Sequence, residues 1–132
     1  MRWLGLLLCA GLAASAGQSG KQAKRAPQFD VQVVEISTHR DSKHILMDGR
    51  LRNSAGKPLR GLVVFIEFLE SGKKMISRMQ TVVVEGEMAP GEEGEFHVQS
   101  PDQVRAVYYL LEVEDTQGRY LRLDKPGPYV IE

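Results

Sequence analysis

From Phe29 onward, apolar and polar residues alternate with a period of two. Phe29, Val31 and Val33 alternate with Asp30 and Gln32, and Ile45, Met47 and Leu51 with His44, Asp48, Arg50 and Arg52. Such alternation predicts strands with one buried and one wet face. Residues 62–69 are nearly all apolar and are closed at both ends by turn residues, which predicts a central strand. Its residues Leu62, Val64, Ile66 and Phe68 form the expected core face, whereas Val63, Phe65 and Leu69 share the other with Glu67. The same choice places Val107, Tyr109, Leu111 and Val113 inside, because the opposite face carries Glu112 and Glu114. Turn chemistry separates the runs: Gly56 and Pro58, Ser71-Gly72, Pro90-Gly91 as a type II turn, and Asp115 to Gly118 as a hairpin loop. About seven strands are predicted, at 29–36, 44–52, 61–69, 74–84, 95–99, 104–114 and 119–124, with a further piece at 129–132. No window shows a 3.6-residue stripe bounded by helix caps. The fold class expected is all-β, a single sandwich or barrel.

The start of the chain does not share this pattern. Met1-Arg2, the apolar run Trp3 to Leu12 and the small residues Ala13 to Ala16 follow the grammar of a secretory signal peptide. Residues 1–16 are therefore expected to be removed, with Ala14 and Ala16 at the cleavage positions. Their apolar run is too short for a bilayer-spanning helix, which needs ~20 residues. Residues 17–28 are small, polar and aperiodic, and are expected to be a flexible linker before a domain at 29–132. The lone cysteine, Cys9, falls in the segment to be removed, and Leu6-Leu7-Leu8 before it lack the small residue of a lipidation site. The mature chain then has neither disulfide nor thiolate chemistry. Charge adds one exclusion. Residues 29–132 hold 13 basic and 17 acidic residues, a net charge of −4. Nucleic acid, which is bound by clustered cations, is not an expected partner.

Few residues invite chemistry. His39, His44 and His97, with Met47, Met75 and Met79, raise the question of copper. On strands His44 and Met47 point to opposite faces, and Met75 and Met79 share a face but sit ~13 Å apart. Glu85, Glu87, Glu92, Glu93 and Glu95 surround Pro90-Gly91 without the Asp-x-Asp spacing of a calcium loop, and read as a solvated hairpin tip. Ser37-Thr38-His39 puts hydroxyls beside a histidine, but the following Arg40 to Lys43 read as an exposed loop. No nucleophile elbow, phosphate loop or HExxH motif is present. No cofactor, metal or catalytic residue is assigned, and the chain is not expected to be an enzyme. The candidate binding residues are Tyr108 and Tyr120, which fall on the face expected to meet solvent and could stack on a sugar or anchor a protein. Lys73 and Lys74 are expected just inside a strand, guarding a sheet edge.

Three short motifs add a resemblance. Gly49 and Asn53 on one strand, the turn Phe68-Leu69-Glu70-Ser71-Gly72, and Pro90-Gly91-Glu92 followed by Phe96 resemble the FxLYD-type domain of exported bacterial proteins. The segment from Gly49 through Gly56, Pro58 and Gly61 also resembles the opening of the carboxypeptidase-regulatory, transthyretin-like sandwich, whose later signature is missing here. The first resemblance implies an immunoglobulin-like β-sandwich, and neither implies a catalytic constellation. The resulting expectation is a non-catalytic exported module, periplasmic or extracellular, that contacts a protein partner in the cell envelope. The alternatives are a carbohydrate-binding module and a weak metal-binding periplasmic protein.

Overall fold

The computed structural model describes residues 28–132; the expected signal peptide (1–16) and all but the last residue of the expected linker (17–28) lie outside the described residues. Ten strands follow in order: β1 (Val31–Arg40), β2 (His44–Asn53), β3 (Leu59–Arg60), β4 (Val63–Leu69), β5 (Met75–Val82), β6 (Glu87–Met88), β7 (Glu93–Pro101), β8 (Tyr108–Glu114), β9 (Tyr120–Leu121) and β10 (Tyr129–Val130). The first sheet has the order β1-β2-β7, and the second the order β10-β8-β4-β5 with β9 also on β8. A two-stranded ladder, β3-β6, closes one end. No described residue is helical, so no helix is long and apolar enough to cross a membrane.

The alternation explains this arrangement. Val31, Val33, Ile45, Met47, Leu51, Phe96 and Val98 face inward from the first sheet. Val64, Ile66, Phe68, Tyr109, Leu111 and Val113 face them from the second, as the residue pattern implied. Fully burying each large side chain stabilises the fold by ~1.5–3 kcal/mol, so the two inner faces hold the sheets together. Gly49 makes this packing possible at one point. The Phe96 ring lies so close that a Cβ there would sit 2.3 Å from two of its carbons.

Four differences from the expected elements have local causes. First, β1 runs to Arg40 rather than stopping at residue 36. Asp41 Oδ1 accepts from the backbone N–H groups of Lys43 (2.7 Å) and His44 (2.6 Å), closing a tight hairpin that lets pairing extend to its end. Second, residues 104–107 form a turn, with Val104 84% exposed and the Ala106 N–H donating to the Gln103 carbonyl at 2.8 Å. Ala106 is buried there, and Val107, expected inside, is only half-buried. Third, Lys73 and Lys74 lie in the turn before β5, not inside it, and Lys73 has φ 66°. Fourth, β9 spans two residues because the chain then leaves β8 for the other sheet.

That departure stitches one side of the sandwich. The Arg122 carbonyl accepts from the N–H groups of Asp30 (2.9 Å) and Val31 (3.1 Å), and the Asp124 N–H donates to the Val31 carbonyl at 3.2 Å. Asp124 Oδ1 takes the Val33 N–H at 2.8 Å, where the β1 register shifts. The chain then returns to β8, with the Leu111 N–H donating to the Pro126 carbonyl (2.9 Å) and the Ile131 N–H to the Val107 carbonyl (2.9 Å). On the opposite side, the Val84 N–H reaches the Glu95 carbonyl at 2.8 Å, and Thr81 Oγ1 the His97 carbonyl at 3.1 Å. Sheet edges that would otherwise be open to other chains are thus largely covered.

Candidate functional site

The two outer faces of the sandwich differ in chemistry. On the first sheet the outward residues at the β2–β7 centre are charged and mutually paired, with the uncharged Ser37, Leu46 and Gln99 beside them. Arg50 contacts Glu93 (3.1 Å) and Glu35 (3.5 Å), Arg52 contacts Glu93 (2.5 Å), and His97 Nδ1 lies 2.6 Å from Asp48 Oδ1. The bond to Asp48 holds the His97 imidazole above its ordinary pKa, and Glu95 and Glu85 act in the same direction.

The outer face of the second sheet is apolar by comparison. The strand registers set Val82, Val63, Glu114 and Tyr120 in one row, and Gln80, Phe65 and Glu112 in the next. Arg78, Glu67 and Leu110 follow, then Met75, Leu69, Tyr108 and Val130. Leu69 is buried on this outer side and takes no part in the core between the sheets. The Arg78 guanidinium lies 4.0 Å from the Phe65 ring centroid and 3.4 Å from carboxylate oxygens of both Glu67 and Glu112. Burial, and then the neighbouring Glu112, push the Glu67 carboxyl above its ordinary pKa despite Arg78. Two carboxylates therefore share a partly desolvated surface with one guanidinium.

Tyr108 and Tyr120 both belong to this face but are not brought together. Tyr108 starts β8, whereas Tyr120 pairs with Glu114 at its far end. Six residues of strand separate them by ~20 Å. Tyr120 is 60% exposed, but Tyr108 is half-buried, with Lys73 Nζ 5.5 Å from its ring centroid. The lysine turn and the Tyr108 face, expected to be separate surfaces, are one surface.

Other candidate groups are dispersed by the fold. Thr38 turns inward, where its hydroxyl bonds to the buried Tyr109, while Ser37 and His39 are exposed on the other face of β1. Burial, partly offset by that bond, raises the Tyr109 hydroxyl to about 12. Met47 is buried and His44 lies on the opposite face. A register shift between Phe68 and Leu69 also separates the other methionines. Met79 pairs with Ile66 and packs on the core, whereas Met75 pairs with Leu69 and is exposed. The expectation that Met75 and Met79 share a face is therefore corrected. The glutamates around Pro90-Gly91 have separate partners: Glu87 pairs with Arg60 (3.0 Å), Glu92 Oε1 accepts from the Ala89 N–H (2.7 Å), and Glu85 Oε1 from the Glu95 N–H (2.8 Å). Among the described residues no three of His, Cys, Asp and Glu gather in a way that could hold a metal ion.

One feature had no signal in side-chain pattern. A cleft of about 450 Å³ opens between β1 and β10, lined by Ile36, Ser37, Thr38, Tyr109, Pro128, Tyr129, Val130 and Glu132. The rings of Tyr109 and Tyr129 stack in it, with centroids 5.1 Å apart.

No family model and no curated protein matches the chain. Solved structures do match, at low identity. The chain is similar to part of a β-glucuronidase from glycoside hydrolase family 2, with 8% identity and a TM-score of 0.55 over 77% of this chain. It spans only 13% of that enzyme's chain. It is also similar to the C-terminal domain of wzt, with 9% identity and a TM-score of 0.52, covering 77% of this chain and 78% of that one. A third likeness is to IrmA from Escherichia coli, with 9% identity and a TM-score of 0.50, covering 80% and 99%. These likenesses carry the fold: the chain is an all-β sandwich. A shared sandwich at such identities does not transfer an activity.

Proposed function

We propose that the chain is an exported, non-catalytic sandwich module that binds a protein partner in the cell envelope through the outer face of its second sheet. The observation that carries this reading is the contrast between the two faces. One is a ladder of paired charges, while the other presents Val63, Phe65, Val82, Leu110, Tyr108 and Tyr120 to solvent or half to solvent. These side chains surround the charged group of Arg78, Glu67 and Glu112, and exposed apolar residues gathered on one face suit an interaction site. The excess of carboxylates over guanidinium on that face suits a partner surface that is apolar and carries a lysine or arginine. A carbohydrate ligand is less well supported, since Tyr108 and Tyr120 are too far apart to hold one sugar ring between them. Kinship with the FxLYD-type domain is part of the proposal. Residues of two of the three motifs that carry the resemblance meet: Gly49 lies beneath Phe96, the Asn53 N–H donates to the Glu92 carbonyl (2.9 Å), and the Gly91 N–H donates to the Asn53 carbonyl (2.8 Å).

Capture of partners by the exported protein from its own cell envelope tests the reading. Phe65→Ala and Tyr108→Ala should each weaken capture by at least about 30-fold if they are central anchors, and His97→Ala on the charged face should not. Loss of capture with His97→Ala, and retention with the other two, would move the interface to the first sheet.

A further inference from the structure

The cleft between β1 and β10 is bounded by main-chain groups that have no hydrogen-bond partner among the described residues. Alternate residues of an antiparallel strand turn their N–H and C=O to the same side. At the end of β1, the Arg40 N–H donates outward to the Glu132 carbonyl at 2.9 Å. Thr38 and Ile36, two and four residues back, therefore direct their N–H and C=O outward as well. Among the described residues no backbone group meets them; the Glu132 N–H approaches the Thr38 hydroxyl instead, at 3.5 Å. Before the β1 register shift the edge is covered again, by Arg122 and Asp124. The opposite wall has the same property. The Ile131 N–H donates to the Val107 carbonyl just before β8, so the adjacent Val130 turns its N–H and C=O away from β8 and toward the cleft.

Two donor–acceptor pairs spaced by two residues, ~7 Å apart, match the repeat of an extended peptide. A third pair stands opposite, and the half-buried Tyr129 ring, stacked on the buried Tyr109, offers an apolar surface between them. The volume of about 450 Å³ lies within the ~300–1,000 Å³ range of sites for small ligands. We infer that this cleft takes a short extended peptide segment that pairs with the β1 edge at Ile36 and Thr38 and lays a small or apolar side chain against the tyrosines. Affinity would come from main-chain hydrogen bonds and selectivity from the one inward side chain, the logic of strand addition. The cleft is independent of the outer face proposed above, although Val130 borders both.

The test uses the full chain with acetyl-Thr-Val-Thr-Val-amide and its analogue N-methylated at the two valines, followed by amide chemical shifts and hydrogen exchange. In the free protein the Ile36 and Thr38 amides should exchange much faster than those of Val31 and Arg40. The unmethylated peptide should slow them and shift Val130. The methylated analogue should bind at least about fivefold more weakly, the lower limit for losing two such bonds. Thr38→Pro removes a donor that faces the cleft rather than β2, a placement that sheet edges tolerate, and should abolish binding. Already slow exchange at Ile36 and Thr38 in the free chain would show the edge to be covered by another part of the molecule, and would overturn the inference. So would equal binding of the two peptides, or shifts confined to Phe65 and Tyr108. That last pattern would leave the outer-face reading standing, whereas binding in the cleft with no effect of Phe65→Ala on partner capture would do the opposite.

Discussion

At the scale of single residues, two side chains show how the sandwich uses positions without chemistry. Asn53 is only 1% exposed, and its amide is fully engaged. Nδ2 donates to the carbonyls of Lys57 (2.7 Å) and Met88 (2.8 Å), and Oδ1 accepts from the Ala55 N–H at 2.8 Å. One buried amide thus ties the loop after β2 to β6, and a hydrophobic replacement would leave those carbonyls unpaired. Gly49 acts by what it lacks. A methyl group there would collide with Phe96 at 2.3 Å and meet Ile36 Cδ1 at 3.0 Å. Gly49→Ala should therefore cost about 1–3 kcal/mol in urea denaturation, as overpacking does. Shortening the ring in the double variant Gly49→Ala/Phe96→Leu should cost less than the sum of the two single changes, because the neighbours are coupled. Strict additivity would show that the ring is not what the glycine accommodates.

Among elements, the connection from β7 in one sheet to β8 in the other depends on Arg40. Its Nη2 donates to the carbonyls of Gln103 (2.9 Å) and Ala106 (2.6 Å), and its Nε lies 2.9 Å from Asp102 Oδ1. The guanidinium is only partly exposed, and lysine cannot reproduce its fork of donors. Arg40→Lys should lower stability by about 1.5–3 kcal/mol, the scale for hydrogen bonds to a charged group, with hydrogen exchange rising first in residues 102–107. A change confined to the β1–β2 hairpin would contradict this role. Arg40 also marks what the sequence could convey. Alternation was enough to place Ile45, Met47, Val64, Ile66, Phe68 and Tyr109, because burial on one face of a strand leaves a period of two. The tether was hidden because Arg40 precedes Asp41, Ser42 and Lys43, a polar run that looks solvated whichever way the arginine turns. Val104 and Val107 misled in the other direction, since apolar type alone does not separate a strand from the turn beside it. The two-residue strands β3 and β6 are too short to show a period at all. For the candidate site, the shared face of Tyr108 and Tyr120 was legible, but the separation between them depends on strand register. The cleft was not legible, because its free groups are backbone and are the same in every residue.

For the molecule as a whole, titration should place the stability maximum on the acid side of neutrality. Asp41 is held below the ordinary carboxylate range mainly by the N–H of Lys43 and then that of His44, and Asp115 mainly by the N–H of Arg119. Burial raises Asp30, but backbone and side-chain bonds from Arg122 outweigh it and leave it lowered. Lowered carboxyls stabilise the fold above their unfolded value of ~3.9, and that contribution disappears as pH falls through their folded values. His97 and Glu67 have the opposite sign, both being raised in the fold. The His97 contribution is complete below its unfolded value of ~6.5 and is lost as pH rises through its folded one; that of Glu67 is complete below ~4.3 and is lost in the same way. On lowering pH from 8, stability should therefore rise while His97 and then Glu67 take up protons. It should fall again as the three aspartates are protonated, so the maximum lies below the ~6.5 of a free imidazole and above the ~3.9 of a free aspartate. These groups are largely at the surface, so salt should flatten both limbs. Urea midpoints across pH 3–8 give the curve. His97→Gln should flatten its alkaline limb, whereas Asp30, Asp41 and Asp115 sit at other turns and edges. A maximum at pH 8 would mean that the imidazole is not held by Asp48 in the folded protein.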